Sequence, residues 1–140
     1  MAISTRKDSM STEPNTPLLR GALLGNALFS ITSAAFVVIL AGPLSDAFDI
    51  PTTLLVVLGV GLIPWAAFAW FTSRQPTRAA VLLIIAGDIV WVVGTIVLTV
   101  GFPDAMSAAG TYTFGMIAVV VGGFAITQII GLRRSEPIGG

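Results

Sequence analysis

The sequence predicts an all-α fold, a four-transmembrane-helix bundle arranged as two tandem helical hairpins. Three observations predict it. The 140 residues are 55% hydrophobic and only 10% charged, whereas a soluble domain is about 25% charged. Four apolar stretches, at about 21–41, 52–71, 79–100 and 112–132, reach the length needed to cross a bilayer as a helix. The charges outside those stretches are segregated by sign.

Each stretch is too long for a barrel strand and lacks apolar–polar alternation. Helices follow, because hydrocarbon leaves no solvent partner for backbone N–H and C=O groups. Arg6, Lys7 and Arg20 precede the first span, Arg74 and Arg78 separate the second from the third, and Arg133 and Arg134 follow the fourth. The other two connections, 42–51 and 101–111, hold Asp46, Asp49 and Asp104 and no basic residue. The positive-inside rule then places both termini in the cytoplasm of a cell whose inner or plasma membrane holds the chain. Residues 1–19 are expected to form a disordered tail, since Ser, Thr and Pro dominate and little apolar surface is available to bury. Residues 20–132 form the membrane domain and 133–140 a second cytoplasmic tail. Met10 is an alternative start.

The spans differ in what they carry. The first opens with Gly21-x-x-x-Gly25 and continues with Asn26, Phe29, Ser30 and Ser33 at helical spacing. Ser33-Ala34-Ala35 has the form of a signal cleavage site, but cutting there would remove half a span. The second contains Pro64, expected to kink the helix and free the Val60 carbonyl. Trp65 and Trp70 lie toward its basic end and Tyr112 opens the fourth span, positions suited to interfacial anchoring. The third span repeats glycine every seven residues at Gly87, Gly94 and Gly101, a spacing that Gly115 and Gly122 reproduce in the fourth. Rows of small residues let helix backbones approach, so these glycines, with Gly21 and Gly25, are candidate packing positions.

An offset of 62 relates the two hairpins. Gly25-Asn26-x-x-Phe29-x-x-x-Ser33 aligns with Gly87-Asp88-x-x-Trp91-x-x-x-Thr95. A true duplication implies a pseudo-two-fold axis along the membrane normal and a site at the repeat interface. On Arg20, Asn26, Phe29, Ser30 and Ser33, and on Asp88, Trp91, Val92, Gly94 and Thr95, residues 18–134 resemble a set of small bacterial four-span integral membrane proteins. That resemblance implies a fold and no activity.

Chemistry is narrowed by absences. Without Cys or His there are no thiolate nucleophiles, imidazole bases or Cys/His metal sites. No phosphate loop and no paired membrane carboxylates occur, so neither an enzyme nor a cofactor is expected, and no nucleic-acid partner. One ionisable residue remains inside a span. Asp88 lies about nine residues into the third, roughly 14 Å deep at 1.5 Å per residue. A charge there costs about 2.5–3.5 kcal/mol on insertion scales, so its carboxyl should face the bundle interior and find donors. By depth the candidates are Asn26, Ser30, Thr127 and Gln128. Trp91, one turn along, is expected to donate its indole N–H to Asp88, and Thr95 extends the stripe.

Asp88, Trp91, Thr95, Asn26, Ser30, Ser33 and Gln128 thus form one candidate polar core. It reads either as a proton- or cation-linked or small-ligand site, or as an interhelical hydrogen-bond clamp. The functional expectation is a non-catalytic multi-pass protein, an accessory, assembly or scaffold component with a membrane-protein partner or a second copy of itself. A small homo-oligomeric transporter or channel around Asp88, and a binder of lipid or an apolar ligand, are the alternatives.

Overall fold

The computed structural model describes residues 17–135 and contains five helices among them. Four are long and apolar enough to cross a membrane: α1 (Pro17–Ile39), α3 (Thr52–Arg74), α4 (Arg78–Gly101) and α5 (Ala108–Ser135). The fifth, α2 (Ala41–Phe48), is short. No strand occurs among the described residues. The expected tails fall mainly in 1–16 and 136–140, outside the described residues.

Local chemistry sets the helix ends. Pro17 opens α1, where a missing N–H costs nothing. The Thr77 hydroxyl caps α4 by accepting from the Ala80 N–H at 3.3 Å. Helices α1 and α5 each begin four residues before the expected spans and α5 ends three residues later. Leu19, placed in the expected tail, is fully buried in α1. Helix α3 runs unbroken through Pro64.

The connection 42–51, expected to be a plain loop, folds mostly as α2. Pro43 sits in its first turn, where proline is tolerated. Ala41, Leu44 and Phe48 recur at helical spacing, and they join Ile50, Leu55 and Met106 in one apolar cluster. Asp49 stops the helix in the left-handed region at φ 57°, donating its N–H to the Ser45 carbonyl. Such a short amphipathic segment is invisible to a search for 20-residue apolar runs.

Helix α1 packs along α3, and α4 along α5, giving the two hairpins. Between hairpins, α1 meets α5 more extensively than α3 meets α4. Charge divides the bundle by its ends. Arg20, Arg74, Arg78, Arg133 and Arg134 lie at one, where Arg20 donates to the Arg74 carbonyl at 3.3 Å. Asp46, Asp49 and Asp104 lie at the other, with α2.

At the basic end the hairpins converge. Leu19, Leu23, Val81 and Ile84 are fully buried there, with Ala27, Ala69, Ile85 and Leu132. The approach requires glycine: a Cβ on Gly131 would sit 2.9 Å from the Leu19 Cα, and one on Gly25 would sit 3.0 Å from the Phe124 ring. Toward the acidic end α2 bridges the hairpins. The Ser107 N–H and hydroxyl donate to the Phe48 and Ala47 carbonyls at 2.8 and 2.6 Å.

Candidate functional site

Between the converged end and the α2 roof the hairpins enclose a cavity of about 620 Å³. All five helices contribute to its wall, which is overwhelmingly apolar. Val57 and Phe36, on its rim, are 61% and 57% exposed. The wedge between hairpins therefore opens sideways, toward where acyl chains lie in a membrane.

Asp88 marks the inner end of this cavity and is 3% exposed. Its Oδ2 accepts from Asn26 Nδ2 at 2.8 Å and from Gln128 Nε2 at 3.2 Å. The Ser30 hydroxyl donates to Asn26 Oδ1 at 3.3 Å. Three helices are tied by these bonds: α1 through Asn26, α4 through Asp88 and α5 through Gln128. Asn26 and Asp88 are the residues that the 62-residue offset aligns, so the two halves meet through corresponding positions. Interhelical hydrogen bonds of this kind contribute about 0.6 kcal/mol each on average in membranes.

The remaining candidates separate. Trp91 and Ser33 line the cavity. Thr95 is buried away from its wall, and its carbonyl accepts from the Thr99 hydroxyl at 2.8 Å. Thr127 turns to its own helix and donates to the Gly123 carbonyl. The expected Trp91–Asp88 hydrogen bond does not form. The indole instead lies flat on Phe114, with centroids 6.0 Å apart and planes 18° apart. Trp91 Nε1 is consequently buried with no partner, as is Gln128 Oε1. A buried donor left unpaired costs about 1–3 kcal/mol.

Aromatic rings form a column that sequence spacing did not reveal. Phe48 of the roof meets Phe114 edge-on at 6.5 Å, and Phe114 stacks on Trp91. The rings come from α2, α5 and α4, so no single-helix periodicity links them. Trp65 is not an interfacial anchor. It packs against the buried core of the basic half, on Phe68 at 6.3 Å, and a Cβ on Gly87 would overlap its ring. Trp70 does sit at the basic margin, 40% exposed, with the Arg74 guanidinium 6.0 Å from its ring centroid.

The glycines divide likewise. Gly25 and Gly87 are close-approach positions and Gly122 makes ordinary contact with Val92. Gly21, Gly94, Gly101 and Gly115 have open space where a side chain would stand. Gly59, Gly110 and Gly131 are close-packed although the seven-residue spacing did not single them out. No group of three or more metal-ligating side chains occurs among the described residues. No protein-family model, curated protein or solved structure matches the chain. The resemblance to small four-span membrane proteins thus extends to architecture alone.

Proposed function

We propose that this multi-pass membrane protein is a non-catalytic binder of an apolar small molecule or lipid, taken sideways from the bilayer into the wedge between its hairpins. One observation carries the reading: a cavity of about 620 Å³ with apolar walls and a hydrogen-bonded carboxyl at its inner end. Ligand sites are typically about 300–1,000 Å³, mostly apolar, with a few placed polar groups. With the arginine-bearing end in the cytoplasm, the cavity lies toward the outer leaflet. Close packing of Leu19, Leu23, Val81 and Ile84 beneath Asp88 argues against a continuous pore.

The test is native mass spectrometry of the full chain released gently from its own membrane. The expected result is one small-molecule adduct per chain, lost in Ile117→Trp, which places an indole in the cavity. A chain bare in both forms would contradict the reading. A second protein at fixed ratio would favour an accessory role instead.

A further inference from the structure

The chemistry of the cavity's inner end narrows the ligand class, on the premise that the cavity is a binding site. Asp88 Oδ2 carries both amide hydrogen bonds, so neither amide is spent on Oδ1. The carboxyl therefore has one oxygen outside that amide pair, on a residue that lines the cavity and is 3% exposed. No basic side chain lines the cavity among the described residues. Asn26 and Gln128 supply N–H groups to Asp88 but no counter-charge.

The walls offer a second signal. Trp91, Phe114, Phe48, Phe29 and Trp65 all border the cavity. Aromatic faces are electron-rich and attract cations, most strongly where water is excluded. The third signal lies outside. Asp46, Asp49 and Asp104 surround the end that α2 roofs, and no basic residue lies in those connections. Surfaces of one sign raise the local concentration of oppositely charged solutes.

We infer that the cavity takes a lipophilic ammonium ion, a protonated amine on a hydrocarbon body. Its N–H donates to Asp88 Oδ1 and its charge faces the carboxylate, a charge-assisted hydrogen bond stronger than a neutral one. Its hydrocarbon occupies the apolar wall and extends through the lateral opening. A neutral alcohol supplies the hydrogen bond without the charge. A carboxylate or phosphate head brings a like charge to Asp88.

Equilibrium dialysis of the full-length protein in lipid nanodiscs tests this, with empty nanodiscs as the partition blank. The probes are radiolabelled N,N-dimethyldodecylamine, protonated at neutral pH, and dodecanol. Wild type is expected to bind the amine at least about ten-fold more tightly than the alcohol. Asp88→Asn should abolish that preference. Phe114→Leu, which keeps the carboxyl, should weaken the amine more than the alcohol. Equal binding of the two probes by wild type, or a preference that survives Asp88→Asn, overturns the cation inference and leaves the apolar-ligand reading standing. Binding of neither probe above the blank overturns both. The comparison on wild type needs no variant to fold.

Discussion

In the basic half of the bundle, Leu19, Leu23, Val81 and Ile84 are fully buried and the hairpins meet through glycines at Gly25, Gly87 and Gly131. In the half beneath α2 the same four long helices stand apart around a cavity, and Phe48, Phe114 and Ser107 hold the roof in place. Side-chain size at the crossing points accounts for the difference. Glycine opposite Leu19, Phe124 and Trp65 lets one hairpin close on the other. Beyond Ser33 the close glycine contact of α1 is with Gly59, which belongs to its own hairpin. Lipid tails are as apolar as the helix faces, so packing in membranes follows shape more than hydrophobicity. A glycine can therefore decide where two hairpins touch.

The comparison can be broken most severely at Gly131. Replacing it with Leu drives a side chain into the Leu19 backbone and should cost about 3 kcal/mol, the upper part of the overpacking range. Thermal unfolding in mild detergent would record the loss. Next comes the polar knot at the boundary between halves. Asp88→Leu strands the Asn26 and Gln128 amides and should destabilise by about 2 kcal/mol. Asp88→Asn keeps an acceptor oxygen and should cost less than about 1 kcal/mol on the same scale. If the leucine variant unfolds no earlier than the asparagine variant, the network ties nothing together.

Smaller effects sharpen the contrast. A Cβ on Gly110 would lie 3.1 Å from the Phe48 Cβ and carbonyl oxygen. Gly110→Ala should loosen the roof by about 1 kcal/mol. Hydrogen exchange should then quicken in α2 while the amides around Leu23 and Ile84 stay protected. The smallest effect is expected at Gly94, where nothing lies within 4 Å. Gly94→Ala should leave the melting temperature within the range of a surface change, about 0.5 kcal/mol or less, as long as that face touches only lipid.

Much of the architecture was legible in the sequence because a membrane span announces itself by apolar length. The hairpin pairing followed from short connections, and the Asn26–Asp88 contact from the matching depth of the two residues in their spans. Gln128 was found the same way, since a carboxyl in a span needs donors at its own level, whereas Ser30, chosen on the same ground, donates to Asn26 instead. Helix α2 was missed because eight residues with glycine and proline near the start read as a loop until Leu44 and Phe48 find a core to enter. The Trp91–Asp88 bond was misjudged because helical spacing says which side chains are neighbours. It does not say that Phe114 offers the indole a flat surface. The glycine spacing could not separate Gly87 from Gly94, because which face meets a neighbouring helix depends on how the hairpins dock.

Acyl-chain photolabelling would show whether lipid reaches the hollow half of the bundle. The protein would be placed in nanodiscs containing a phospholipid with a diazirine near its tail end, irradiated and mapped by peptide mass spectrometry. Lipid-facing residues such as Ile96 and Val119 serve as positive controls, being 53% and 71% exposed. A hollow half takes insertion also at Leu58, Phe114 and Val121 inside the wedge, and none at Leu23, Ala69 or Ile84 in the packed half. Labelling confined to the outer faces, with the wedge residues as silent as Ile84, would contradict it.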